Sequence, residues 1–182
     1  VPEKPKILSS RTVARSRLFH VEEIELEFSN GVNTRYERLV GSGRGAVLIV
    51  PVLDDGRVLL IREYAAGTHR YELALPKGRI EPGEDMLVAA NREIMEEVGY
   101  CARELIHLTS LTIAPGYLSH TTHVVLARDL HPQRMQGDEP EDIEVVPWPL
   151  ARIEELSGRE DFTEARSIAA LYMARDRIKT WR

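Results

Sequence analysis

Cysteine is nearly absent from this chain. Cys101 stands alone among 182 residues, so no intrachain disulfide can form, which points to a reducing compartment. With no second cysteine nearby, its plain reading is a half-buried thiol at the end of a helix. Long hydrophobic runs are missing too: no apolar stretch approaches the roughly 20 residues a membrane-spanning helix needs. The opening VPEKPKILSSRTVAR is charged throughout and has no signal-peptide core, so a soluble cytoplasmic protein is expected. Internal repeats and low-complexity tracts are absent, which excludes solenoids and fibrous arrays. A strong positive charge is also lacking. Asp and Glu number 29 against 24 Lys and Arg, a net charge of −5, so the molecule as a whole is not built to attract polyanions. A local basic pocket for phosphates remains compatible with that total.

What is present fits one globular domain with an extra arm. Residues 11–40 alternate and turn as a β-meander, with Val21, Ile24, Leu26 and Phe28 near period two and a turn at Ser29–Gly31. GAVLIVPVL (45–53) reads as a buried strand and DDG (54–56) as a turn into RVLLIREY (57–64). YELALPKG (71–78) reads as a short strand ending at Pro76. LTSLTI (108–113), HVVLARDL (123–130) and IEVVPWPL (143–150) read as further strands, and residues 162–181 as a closing amphipathic helix. Strands mixed with two or three helices predict an α/β or α+β layered domain.

The chemistry concentrates in KGRIEPGEDMLVAANREIMEEVGY, residues 77–100. Asp85 is a suitable N-cap for a helix over about residues 86–98. Leu87, Ala90, Ile94 and Val98 recur at helical spacing, and Gly99 supplies the stop. Residues four apart share a helix face, so Glu93 and Glu97 lie side by side, Glu96 is near both, and Arg92 pairs with Glu96. Crowded carboxylates make a hard-oxygen site of the kind Mg²⁺ or Mn²⁺ accepts. The plain alternative is an acidic face turned to water. Gly78 permits a close approach that a side chain would hinder.

The spacing decides between them. Gly78, five residues, Glu84, seven residues, then Arg92-Glu93-Ile94-Met95-Glu96-Glu97-Val98-Gly99-Tyr100 resembles the Nudix box at every position. Seven fixed residue types match by chance on the order of 10⁻⁸ per starting point. The resemblance implies an α/β/α sandwich with a mixed sheet, hydrolysis of a nucleoside diphosphate linked to another group, and two or more divalent cations, Mg²⁺ or Mn²⁺. It places metal ligation on Glu93, Glu97 and Glu96, with the Lys77 carbonyl contributing. Such a cation neutralises phosphate oxygens and activates a water for in-line attack.

The ADP-ribose pyrophosphatase-like group within this family carries a glutamate in an acidic loop. QGDEPEDIEV (136–145) supplies Glu139 and Glu141 as alternatives for that catalytic role, beside Glu96. Pro115 lies 16 residues beyond Gly99, at the position where a proline marks this group. Substrate binding is expected at Arg62, Glu72, Pro115 and Ser119. Two positions depart from the pattern: Arg62–Ala65 reads REYA where many members have an arginine after the strand, and His120 replaces a common glutamate. The segments TVARSRLF, LEFSNG, YER, LIREYA, GDEPE and EARSIAALY are similar to the branch that hydrolyses ADP-ribose, NADH and diadenosine triphosphate, releasing AMP. The resemblance implies an N-terminal arm packed across a homodimer, where it lines the partner's adenine site; the sequence alone is equally compatible with an arm packed on its own subunit. The implied organisation is an arm over 1–42 and a Nudix domain over 43–182. Other readings are a nucleotide-sugar, dinucleoside polyphosphate or RNA-cap specificity on the same scaffold, or a non-catalytic nucleotide sensor. Lys77 matches some dinucleoside tetraphosphate hydrolases, whereas Pro115 does not. No DNA-binding segment is evident.

Overall fold

The computed structural model describes residues 2–41 and 43–180. The expected arm boundary at residue 42 and the helix end at residue 181 lie outside the described residues. The chain divides into two compact units, residues 1–45 with 112–121, and residues 46–111 with 122–182.

In the first unit β1 (Lys6–Arg15), β2 (His20–Glu27) and β3 (Asn33–Val40) form the expected antiparallel meander. Gly31 takes a positive φ of 79° in the β2–β3 turn, which is why that turn carries Asn-Gly. A two-residue strand, β9 (Leu118–Ser119), pairs parallel with the end of β3. The Pro115-containing loop therefore belongs with the N-terminal strands, a grouping that the sequence alone did not indicate.

The second unit is built on two sheets. One is mixed, in the order β7 (Lys77–Arg79), β4 (Ala46–Pro51), β10 (Thr122–Pro132), β8 (Tyr100–Leu111), with β4 and β10 parallel. The other is antiparallel, in the order β11 (Glu144–Pro149), β5 (Arg57–Ala65), β6 (Arg70–Ala74). On β4, Val47 and Ile49 join the core under helix α1 (Met86–Glu97), while Leu48 and Val50 join the core under helix α2 (Ala165–Lys179). β5 and β10 alternate in the same way: Leu59, Ile61, Val125 and Ala127 face one core, and Val58, Leu60, Val124 and Leu126 the other. Layers covered on both faces make continuous apolar runs, as GAVLIVPVL announced. The result is the α/β/α sandwich.

Three readings need correction. YELALPKG is not one strand: β6 stops at Ala74, and Lys77–Arg79 forms β7 in the other sheet. Pro76 has no N–H for a ladder, and the chain uses that break to change sheets. β8 begins at Tyr100, eight residues earlier than expected, and ends at Leu111. It is an edge strand whose charged Arg103 and Glu104 face water, and a register shift opposite Val124/Val125 disturbs its alternation. A 3₁₀ helix at Leu150–Gly158, buried through Leu150, Ile153 and Leu156, was not foreseen. Among the described residues no helix is long and apolar enough to cross a membrane.

Candidate active site

Helix α1 starts where Asp85 accepts hydrogen bonds from the Leu87 and Val88 N–H groups, at 2.8 and 3.3 Å. Ala89, Ala90 and Ile94 are buried against the sheet, and Gly99 turns the chain with φ 75°. This seating fixes the phase of the helix, and with it where Glu93 and Glu97 point. Both glutamates are buried, 8% and 5% exposed as whole residues. The Lys77 N–H donates to Glu97 Oε2 at 2.9 Å. Burial pushes the Glu97 carboxyl up to about 8, against the pull of Lys77, and burial likewise raises Glu93 despite Arg92.

β7 is held in place from both sides. It pairs with β4, Gly78 opposite Val47, and just before it the Leu75 N–H donates to Ser167 Oγ at 3.0 Å. Ser167 in turn donates to Glu164, the N-cap of α2, at 2.8 Å. Gly78 then lies against the Glu93 carboxylate so closely that a Cβ there would meet its atoms at 1.9–2.1 Å. A strand without a side chain at this position forms the floor under Glu93.

Arg92 does more than pair with Glu96. Its Nε and Nη2 grip both oxygens of Glu84 at 2.9 and 3.1 Å, and Nη1 reaches Glu93 at 2.7 Å and Glu96 at 3.0 Å. Nη2 also donates to the Arg79 carbonyl at 2.9 Å. One guanidinium thus ties the loop, the helix and β7 together, and Glu84 first among these partners raises its pKa.

Glu93, Glu96 and Glu97 line a cleft of about 530 Å³ with the acidic loop, including Gly137, Glu139 and Glu141. An adjoining cleft adds Lys77, Gly78 and Arg79 to the walls around the same glutamates. Burial raises the Glu139 carboxyl, with Glu63 and Asp138 adding to the shift. Glu141 instead accepts a 2.7 Å hydrogen bond from the Tyr71 hydroxyl. Lys77 Nζ sits 2.7 Å from Glu63. Sequence reasoning missed the Lys77–Glu63 and Tyr71–Glu141 pairs, and no local signal marks them.

The remaining expected residues are placed as follows. Arg62 lines a small cavity with Glu139 and Glu141, but its guanidinium is engaged by Glu144 at 2.9 Å and Asp161 at 2.5 Å. Glu72 is buried beside Arg70, 2.7 Å away, and is not among the residues lining the Glu93 cleft. Pro115 and Ser119 belong to the first unit, where they line a cavity of about 250 Å³ with Phe28 and Tyr36. The Ser119 hydroxyl accepts the Gly41 N–H at 3.0 Å. Cys101 is a half-buried free thiol that accepts a 3.3 Å contact from Asn91 Nδ2, matching the plain reading.

The donor set suits a hard cation. Among the described residues no three His, Cys, Asp or Glu side chains are grouped to cage a metal by themselves. Mg²⁺ does not require that: it is commonly bound through one or two carboxylates and completes its shell with water and substrate phosphate. Two buried glutamates over a glycine floor, at the wall of an open polar cleft, are chemically compatible with such a minimal protein share.

A strand, loop and helix that together carry G-x5-E-x7-R-E-x2-E-E, tied by the arginine of the helix, define the class: the chain belongs to the Nudix hydrolase family, whose domain matches residues 43–171. The NudE-type Nudix hydrolase N-terminal domain matches residues 5–38. The chain is 51% identical to the ADP compounds hydrolase NudE of Escherichia coli (strain K12), covering 97% of this chain and 95% of that one. It is 29% identical to the ADP-ribose pyrophosphatase of Bacillus subtilis (strain 168), covering 91% and 92%. A crystal structure of an ADP compounds hydrolase superposes with a TM-score of 0.93 at 50% identity, covering 100% of this chain and 97% of that one.

Proposed function

We propose that this protein is a divalent-metal-dependent pyrophosphohydrolase that cleaves ADP-linked compounds to AMP and a phosphorylated remainder. The observation that carries the reading is the pair of buried carboxylates, Glu93 and Glu97, held over Gly78 at the wall of an acidic cleft. The similarity along nearly the whole chain to an ADP compounds hydrolase supports the adenosine diphosphate part of the substrate. ADP-ribose, NADH and diadenosine triphosphate are the expected substrates, with NADH giving AMP and reduced nicotinamide mononucleotide.

Glu93 and Glu97 hold the cation, with Glu96 beside them, and Mg²⁺ is the expected ion. When bound it neutralises phosphate oxygens and makes a water easier to deprotonate. The residues around it supply the rest. Arg92 keeps Glu84, Glu93 and Glu96 in register, so the carboxylates need little reorganisation. Glu139 is the favoured proton acceptor of the acidic loop. Its raised pKa suits that task, whereas Glu141 is already bonded to Tyr71.

A homodimer formed through the N-terminal strands is part of the proposal. Ile7 (56% exposed), Leu18 (61%) and Phe19 (54%) leave apolar surface on that arm for a second copy.

The test is a substrate panel. The protein is incubated with Mg²⁺ and ADP-ribose, NADH, diadenosine triphosphate, nucleotide sugars and nucleoside triphosphates, and products are identified by chromatography. AMP from each ADP-linked member is the expected result. Turnover confined to nucleotide sugars or nucleoside triphosphates would replace this specificity with another on the same scaffold.

A further inference from the structure

Lys77 meets this site twice. Its backbone N–H is bonded to Glu97, while its side chain crosses from β7 to β5 and places Nζ 2.7 Å from Glu63. The two side chains are 28% and 29% exposed, and a partly exposed pair of this kind adds little to stability. The ladder with β4 and the bond to Glu97 already fix the Lys77 backbone. The ammonium is therefore free to change partner at small structural cost.

Charge supplies the reason for it to do so. The cleft gathers Glu93, Glu96, Glu97, Asp138 and Glu139 around Lys77, and a diphosphate entering it brings further negative charge. Two neighbouring guanidiniums are committed, Arg92 to three carboxylates and a carbonyl and Arg62 to Glu144 and Asp161, which leaves Lys77 and Arg79 as the cations on this cleft wall. A lysine is a compact charge on a flexible four-carbon stem with three rotatable donors, suited to exchanging one oxyanion for another.

We propose that the Lys77 ammonium is a phosphate-contacting group of this site and that Glu63 is its positioning residue. Glu63 holds the cation at the cleft wall until a diphosphate-bridged ligand takes it over. The inference rests on reading the cleft as a diphosphate site, and it assigns to the side chain of Lys77 a role separate from that of its carbonyl.

Two variants that break the same ion pair should move binding in opposite directions. The probe is α,β-methylene ADP-ribose, titrated calorimetrically into the full chain with Mg²⁺. Lys77→Gln should weaken binding about tenfold, as expected for losing one charge-assisted hydrogen bond to phosphate. Lys77→Arg should recover most of that affinity. Glu63→Gln, which frees the ammonium from its competing carboxylate, should bind more tightly than wild type. Thermal unfolding should show Lys77→Gln and Glu63→Gln shifted alike, since both lose one ion pair. If Lys77→Gln does not fold, the sign of the Glu63→Gln effect decides. Equal weakening by Lys77→Gln and Glu63→Gln would overturn the proposal, reducing the pair to a structural tie. Unchanged affinity in Lys77→Gln would overturn it as well. A wild-type protein that does not bind the probe would instead overturn the diphosphate reading itself.

Discussion

Replacing Gly78 with alanine adds one methyl group where the Glu93 carboxylate already lies 1.9–2.1 Å from the new atom. Non-bonded heavy atoms need about 3.5 Å, so the carboxylate has to retreat by roughly 1.5 Å. The backbone gives way less readily, because Gly78 is paired in the β4–β7 ladder. The side chain moves instead and carries Oε1 away from its 2.7 Å bond to Arg92. Displacing a positioned group by about 1 Å costs on the order of 10²-fold in rate. The fold should suffer far less, because glycine-to-alanine changes restrict the unfolded chain and offset part of the strain, about 0.4–1 kcal/mol. Steady-state kcat/KM for ADP-ribose with saturating Mg²⁺, measured beside a thermal unfolding curve, separates the two effects. The expected result is a drop of about 100-fold in kcat/KM with Tm within a few degrees of wild type. An alanine variant within twofold of wild-type activity would refute the claim that Gly78 is the floor on which Glu93 is placed.

Deleting residues 1–40 removes β1–β3 and should abolish dimerisation and raise KM; a monomer by light scattering with unchanged KM would contradict the role given to the arm. Asp161→Asn tests the Arg159–Asp161–Arg62 cluster, in which Arg159 first and then Arg62 hold the Asp161 carboxyl well below the usual range. A depressed carboxylate contributes stability that is present above its unfolded pKa of about 3.9 and is lost as pH falls toward its folded value. The variant should therefore be less stable at pH 7 by about 1 kcal/mol, and the gap should close below about pH 4. A gap that stays constant from pH 7 to pH 3 would show that the ionised form is not what matters.

Residues 77–100 were legible because the box is local: its spacing sets which carboxylates share a helix face, and α1 with its Asp85 cap realises that phase. The two-faced burial of β4 was legible for a similar reason, since a continuous apolar run has few other uses. Contacts made across the fold were not. Lys77 reaches Glu63 from one sheet to another, and Tyr71 reaches Glu141 over 70 residues of chain, so no periodicity records either. Arg92 was read as half of one pair because helical spacing shows only Glu96. Glu84, its bidentate partner, comes from the preceding loop, where the backbone path decides the meeting. The early start of β8 was hidden because charged residues on an edge strand look like a loop.

The central claim is that Glu93 and Glu97 hold the catalytic cation, and substitution of Glu97 tests it most directly. Glu97 is 5% exposed and its carboxylate accepts the Lys77 N–H, and an amide preserves its shape while binding hard cations poorly. ADP-ribose hydrolysis by wild type, Glu97→Gln and Glu93→Gln would be followed over a Mg²⁺ titration, with far-UV circular dichroism as a check on the fold. The account predicts AMP and ribose 5-phosphate from the wild type only when Mg²⁺ is present, and a loss of most activity in both variants with the fold intact. Near wild-type turnover by both variants at saturating Mg²⁺ would contradict it.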